Sequence, residues 1–323
     1  MDYTRLGTSE LMVSRIALGC MSFADPSRGA PAWTLDEQAA GPIFAQAVES
    51  GITFWDTANV YSNGTSEEIV GRAIKTYTRR DQIVLATKVG LRVHDGPTGQ
   101  GLSRAAIHEQ IDASLARLGT DYVDLYQIHR FDPATPVEET MSALHEVVTA
   151  GKARYLGASS MWAWQFSKMQ YTAQLHGWTP FVSMQNQYNL AEREDEREMF
   201  ALLADQRVSS IPWSPLAKGR LARPYAQQTH RSRNDPVGQR FIGNGDQPII
   251  DTVAAIAENR HVPMAQIALA WVLTNPAVAA PIIGATSPRH LTDAIAALDS
   301  DLSADEITQL TEPYTPRTPT GFQ

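Results

Sequence analysis

Apolar and polar positions follow two rhythms along the chain. Short apolar runs recur at 16–20 (IALGC), 53–56 (TFWD), 82–88 (QIVLATK), 122–129 (YVDLYQIH), 154–159 (RYLGAS), 181–185 (FVSMQ), 208–213 (VSSIPW) and 281–284 (PIIG). They are short and rich in β-branched and aromatic residues, as buried parallel strands are. Between them lie amphipathic segments with apolar residues at helical spacing. LDEQAAGPIFAQAVESG ends in Gly51, a C-cap residue. SRAAIHEQIDASLARLGTD opens on Ser103 as an N-cap and stops at Gly119. TPVEETMSALHEVVTAGK has Pro136 in its first turn and Gly151 beyond its end. SPRHLTDAIAALD and SADEITQLTEPY close the chain. Before the first of these strands, YTRLG and MVSRIALG flank the turn-like TSE, which reads as a hairpin.

Strand then helix, about eight times over, predicts an α/β protein. Its architecture is a (β/α)8 TIM barrel with an N-terminal β-hairpin and extra C-terminal helices. A doubly wound open sheet is the other arrangement of such units, but no GxGxxG follows the first strand. No Pro- or Ser-rich linker and no fixed-period repeat divides the sequence, so 1–323 is expected to be one domain. The polar, Gly-rich stretch 214–247 is long for a loop, a feature common at functional sites. The proline-bounded apolar segment 263–276 reads as a packing helix.

Composition narrows the function. Of 323 residues, 43% are hydrophobic and 19% charged, typical of an ordinary globular protein. A net charge of −8 without a basic block argues against nucleic acid as a partner. Cys20 is the only cysteine, so no intramolecular disulfide or cysteine-based zinc cluster can form. The N-terminus lacks a signal-peptide layout, and no apolar run approaches the ~20 residues of a membrane helix. A cytoplasmic protein with no membrane partner is expected.

A barrel places its chemistry at the C-terminal ends of its strands. Read in order, those ends carry Asp56, Lys88, His129, Ser159 with Ser160, Gln185, Trp213 and Gly284. Singly, each has an ordinary explanation as a cap, a solvated charge or a core residue. Together, on the second, third and fourth strands, Asp, Lys and His would converge on one mouth. Tyr61 follows Asp56 by five residues, before the next helix. A lysine beside a carboxylate stays charged when buried, and its ammonium favours tyrosinate over tyrosine. A neutral histidine donates a hydrogen bond to a carbonyl oxygen. The set suits polarising a carbonyl and protonating the resulting alkoxide, or the reverse; it supplies no hydride, so a nicotinamide cofactor is needed.

With these residues in place, the sequence resembles the aldo-keto reductases, NAD(P)H-dependent barrels, over nearly its whole length. DTANVYSNGTSEEIVGRAI, LATKVG, LGTDYVDLYQIHRFDP, GKARYLGASS, MQNQYNL, WSPLAKG and PIIGATSPRHLTDAI match family blocks in order and spacing. The resemblance implies a catalytic set of Asp56, Tyr61, Lys88 and His129, with Tyr61 as general acid. It implies that Ser159, Ser160 and Gln185 face the nicotinamide carboxamide, with Ser160 where asparagine is common. Trp213 would stack on the nicotinamide in place of the usual tyrosine. Ser214, Leu216, Lys218, Arg220, Gly284, Thr286, Ser287, Arg289 and Asp293 would contact the rest of the cofactor, Asp293–Ala294 standing where a Glu-Asn pair often touches adenine. The basic residues among them favour NADPH over NADH.

An aromatic mouth formed by Met21, Phe23, Trp33 and Trp162 would take an apolar or aromatic carbonyl or alcohol as the small-molecule substrate. Trp55, alternating with Asp56, should point outward into the strand–helix core. A channel-associated β-subunit-like role with slow turnover is the alternative within the same barrel. A metal-dependent hydrolase is disfavoured, because Lys88 between Asp56 and His129 would repel a cation.

Overall fold

The computed structural model describes residues 1–28, 31–235 and 245–319. A two-stranded antiparallel hairpin, β1 (Tyr3–Arg5) with β2 (Met12–Ser14), precedes an eight-stranded parallel sheet. The sheet strands are β3 (Ala17–Gly19), β4 (Phe54–Asp56), β5 (Val84–Val89), β6 (Val123–Ile128), β7 (Ala153–Ser159), β8 (Phe181–Gln185), β9 (Ser209–Ser210) and β10 (Ile282–Gly284). Their spatial order, β10-β3-β4-β5-β6-β7-β8-β9, follows the chain except for β10, which returns beside β3. The sheet curls until its two edges meet. Ser210 N donates to Ala277 O (2.7 Å), Ala279 N to Ser210 O (2.8 Å), and Ile282 N to Pro212 O (2.9 Å). Backbone bonds thus bridge the β9 and β10 sides and leave no long unpaired edge there.

The seventh parallel strand, β9, is shorter than its apolar run suggests. Pro212 has no N–H to donate, and regular pairing stops at Ser210. Ile211 N and Trp213 N still bond Met184 O (2.9 Å) and Asn186 O (2.8 Å), so the segment tracks β8. Helices α1 (Glu37–Glu49), α2 (Thr65–Tyr77), α3 (Arg104–Leu118), α4 (Val137–Thr149), α5 (Ala163–His176) and α6 (Met199–Gln206) lie between successive strands. The expected caps form: Ser103 Oγ accepts from Ala106 N, and Gly119 ends α3 in the left-handed region (φ 63°). Pro136 sits at the N-cap of α4 rather than inside its first turn.

The stretch after β9 contains a 3-10 segment, Ala217–Ala222, and a short helix α7 (His230–Asn234). The rest of the anticipated 214–247 loop lies partly outside the described residues. Then come α8 (Asp246–Arg260), α9 (Met264–Leu273), α10 (Pro288–Ala296) and α11 (Ala304–Thr311). Among the described residues no helix is long and apolar enough to cross a membrane.

Strand alternation divides the core. Trp55 and Tyr126 point outward into the strand–helix layer with Phe44, Ile69, Leu144 and Phe166. Inside the barrel, Ala17, Phe54, Ala86 and Leu125 form an apolar layer at the N-terminal ends. Leu6, Leu11 and Val13 of the hairpin region plug it. Gly7 is needed for that docking: it adopts φ +56°, and a Cβ there would stand 2.2 Å from Val182 O.

Candidate active site

Two residues above the apolar layer, the inward positions become polar. Asp56 ends β4, Lys88 stands on β5, Gln127 on β6 and Gln185 ends β8. Lys88 Nζ donates to Asp56 Oδ2 (2.6 Å), to Thr57 O (2.8 Å) and to Tyr61 OH (3.2 Å). The other carboxylate oxygen, Asp56 Oδ1, accepts from Gln127 Nε2 (3.0 Å) and Gln185 Nε2 (2.9 Å). All four are buried, Lys88 at 0% exposure. Every polar head in this layer therefore has a partner, which buried charge requires. Burial alone would lower the Lys88 pKa, but Asp56 and Tyr61 outweigh it and hold the ammonium above its ordinary value.

Tyr61 reaches this layer from the loop after β4. The chain turns there through two left-handed residues, Ser62 (φ 48°) and Asn63 (φ 53°), before α2 begins. Such conformations are costly away from glycine, and they occur where surrounding structure enforces them. They bring the half-buried phenol under Lys88, whose Nζ also lies 4.8 Å from the ring centroid. Burial pushes the Tyr61 pKa up, and Lys88 pulls against it without prevailing. This departs from the expectation that Lys88 would bring the phenol below its usual range: Tyr61 is a neutral O–H donor, and the lysine limits the cost of ionising it.

His129 follows β6, and its ring meets Tyr61 edge-on, 5.8 Å between centroids and 80° between planes. Burial, then Lys88 and Arg130, push its pKa well below the ordinary histidine value, so the imidazole is neutral. Its Nδ1 is buried and has no hydrogen-bond partner among the described residues. The arrangement offers an O–H donor, a neutral imidazole and a fixed ammonium within one mouth. Lys88 stands where a metal bound by Asp56 would have to sit, which disfavours metal chemistry on charge grounds.

The other expected residues divide into those gathered around the mouth and those turned away from it. Ser159 Oγ donates to Gln185 O (2.8 Å), and Trp213 Nε1 donates to Ser160 Oγ (2.9 Å). Ser160 (φ 39°), Ser214 (φ 52°) and Lys218 (φ 56°) are also left-handed, concentrating backbone strain on this end of the barrel. Gln185 was expected to hold a carboxamide. Its amide N–H groups instead serve Asp56 Oδ1 and Gln127 Oε1 (3.2 Å), leaving only its carbonyl for a ligand. Lys218 Nζ lies 5.9 Å from the Trp213 ring centroid, and Arg220 stands 3.6 Å from Asp246. Leu216 is partly buried against the core.

Gly284 ends β10, and Thr286 N donates to His290 Nδ1 (3.2 Å). Ser287 caps α10 without a side-chain hydrogen bond, and Arg289, 79% exposed, lies 3.6 Å from Asp293 on the same helix. Two cation-bearing segments thus follow β9 and β10, which meet at the barrel closure. A helix start whose N-cap side chain makes no hydrogen bond, with the Arg289 guanidinium in its first turn, fits a phosphate. The hydroxyls of Ser159 and Ser160, the second bonded at the Nε1 edge of the Trp213 ring, fit a planar carboxamide-bearing ring. The residues present therefore match the chemistry of a nicotinamide dinucleotide.

Of the aromatic wall expected from sequence, Phe23 is turned away: it is fully buried, 4.7 Å from Phe44, and belongs to the strand–helix core. Trp33 is buried, whereas Met21 and Trp162 are exposed. Gln127 was missed from sequence, although Leu125, Gln127 and His129 share one face of β6 by alternation. Thr57, whose carbonyl accepts from Lys88, carries no side-chain signal at all.

The chain matches, over residues 15–314, the model of the Aldo/keto reductase family. It is 46% identical to an aldo-keto reductase of Fusarium vanettenii, with 98% of this chain and 92% of that protein covered. It is 44% identical to a versiconal hemiacetal acetate reductase of Aspergillus parasiticus, covering 98% of each. A third relative, an aldo-keto reductase of Alternaria alternata, is 42% identical across 99% of this chain and 93% of its own.

Proposed function

The chain belongs to the aldo/keto reductase family and is an NAD(P)H-dependent oxidoreductase that reduces carbonyl compounds, and on that premise we propose that NADPH is its preferred donor and Tyr61 its general acid. The observation that carries the catalytic assignment is the chain of contacts from Asp56 through Lys88 to Tyr61, 2.6 and 3.2 Å.

When bound, the nicotinamide supplies the hydride to the carbonyl carbon. Tyr61 hydrogen-bonds the carbonyl oxygen and gives up its phenolic proton as negative charge develops there. Lys88, kept charged by Asp56, stabilises the phenolate left behind. His129, neutral at physiological pH, orients the carbonyl oxygen through a ring N–H. Gln127 and Gln185 hold the second oxygen of Asp56 and so fix the carboxylate's orientation. Ser159, Ser160 and the Gln185 carbonyl would hold the carboxamide, and Trp213 would cover the ring. Lys218, Arg220 and Arg289, with the N-terminus of α10, would bind the phosphates.

The hemiacetal named for the Aspergillus relative fits an open-chain aldehyde form reaching such a site. A panel of aliphatic and aromatic aldehydes and ketones, assayed with NADPH and NADH, tests both proposals. Tyr61→Phe is expected to lower kcat by about a hundredfold or more while NADPH still binds with near wild-type affinity. Wild-type turnover in that variant refutes Tyr61 as the acid. Equal kcat/KM with the two donors refutes the NADPH preference.

A further inference from the structure

Arg130 follows His129 directly, two residues past the end of β6, and is half-buried. Its one hydrogen bond among the described residues runs from Nη1 back to the carbonyl oxygen of its neighbour His129, 2.5 Å away. Its charge acts on both Tyr61 and His129. Burial lowers its own pKa, and the compensating influence comes from Tyr61, not from any carboxylate.

The Arg15 guanidinium, at the other end of the barrel, likewise bonds only a backbone carbonyl among the described residues, Val278 O at 2.9 Å, but four other half-buried arginines are each paired with a carboxylate. Arg80 meets Asp124 at 2.8 Å, Arg117 meets Glu67 at 2.6 Å, Arg193 meets Glu196 at 2.7 Å and Arg317 meets Asp246 at 2.8 Å. Each of those guanidinium groups recovers part of its desolvation cost from an anion. Arg130 has no carboxylate of this chain within ion-pair distance among the described residues. A guanidinium has five N–H donors and no acceptor, and its planar fork matches a carboxylate through two parallel bonds. One backbone carbonyl leaves most of those donors available. The next residue, Phe131, stands ring to ring with Trp164, 6.0 Å between centroids, with Trp164 exposed. A cation without an anion, an apolar aromatic pair and the proton donor therefore share one end of the barrel.

We propose that Arg130 is a specificity-determining residue that pairs with a carboxylate on the carbonyl substrate, so that the enzyme prefers anionic aromatic aldehydes and ketones to neutral ones. This rests on the reductase reading of the same site. Adjacent residues are ~3.8 Å apart at Cα, so a side chain next to His129 reaches substituents near the reacting carbonyl. The anion supplied by the substrate would complete the pairing that the fold leaves open.

The test compares benzaldehyde with its 2-, 3- and 4-carboxy derivatives, and uses calorimetric titration of benzoate into the NADPH-saturated protein. The best carboxy isomer should exceed benzaldehyde in kcat/KM. In Arg130→Gln that ratio should fall about tenfold or more, the usual scale for a charged hydrogen bond left unmade. Arg130→Lys should recover part of it, since it keeps the charge but loses the fork. Benzoate should bind Arg130→Gln more weakly in proportion. A merely structural role would change both aldehydes together and leave the ratio intact. The inference is overturned if the ratio is the same in Arg130→Gln, or if benzoate binds both proteins equally. Reduction of benzaldehyde without any carboxylate preference overturns the inference and leaves the reductase reading standing. Turnover of no aldehyde with either donor overturns the reductase reading, and the preference for anionic carbonyl substrates falls with it.

Discussion

A lysine wholly inside a barrel must lose its proton or find an anion, and Lys88 takes the second course. Asp56 supplies that anion, and its second oxygen is held by two glutamine amides. Lys88→Met would leave the Asp56 carboxylate buried without its cation. Loss of one member of such a pair costs about 3–5 kcal/mol, so urea denaturation should show a drop on that scale together with lost activity. The opposite case is His129, which burial keeps neutral. Its native pKa lies well below the unfolded value of ~6.5. As pH falls below ~6.5, the unfolded chain takes up a proton that the native state refuses. Stability from this residue is therefore complete above ~6.5 and is lost progressively below it, by at most ~1.4 kcal/mol per pH unit. Unfolding free energies measured at two pH values either side of 6.5 should diverge by about 1 kcal/mol more in the native protein than in His129→Asn. Glu192 and Asp195, both raised to about 7, titrate across the same range in both proteins and cancel in that difference. Parallel curves would mean that His129 accepts a proton inside the fold.

At the scale of elements, the loop carrying Tyr61 depends on how α2 is seated. Glu67, in its first turn, is fully buried between Thr87 Oγ1 (2.5 Å) and Arg117 Nε (2.6 Å). One turn later Gly71 passes so near α3 that a Cβ would stand 2.2 Å from Leu118 O. Backbone cannot yield as a side chain can, so Gly71→Ala should cost about 1–3 kcal/mol. Because α2 follows Tyr61 directly, the same variant should lower kcat more than it raises the Km for NADPH, as steady-state kinetics would show. The spacing of Glu67 and Gly71 was visible in the sequence as part of a family-like block; the reason for it was not. The same holds more widely. Strand and helix order was legible because period-two and period-3.6 patterns alternate cleanly, and each strand end could be read for chemistry. Gln127 escaped because only the last residue of its strand was weighed, and Phe23 misled because sequence shows a residue's neighbours but not its facing. The raised Tyr61 pKa depends on how much protein closes over the phenol, which no local motif encodes.

Across the whole molecule, stability and chemistry occupy opposite ends of the barrel. The hairpin residues Leu6, Leu11 and Val13 close the N-terminal end together with Phe54, Leu125 and Ile211. The polar layer begins one inward position higher, and the left-handed residues Ser62, Asn63, Ser160, Ser214 and Lys218 crowd the other end. Strain and buried charge at that end are tolerated because the plugged apolar layer below holds the strands in register. The two ends should then respond differently to mutation. Leu6 is completely buried, and Leu6→Ala removes three side-chain carbons and leaves a cavity, at a cost of about 2–5 kcal/mol. Since no atom of Leu6 lies in the polar layer, kcat/KM per folded molecule should stay within about twofold of the native value, as expected for a bottom-face residue of a barrel. Chemical denaturation paired with kinetics well below the transition midpoint separates the two effects. A large loss of kcat/KM without loss of stability would show that the plug sets the geometry of Asp56 and Lys88 directly rather than supporting it from a distance.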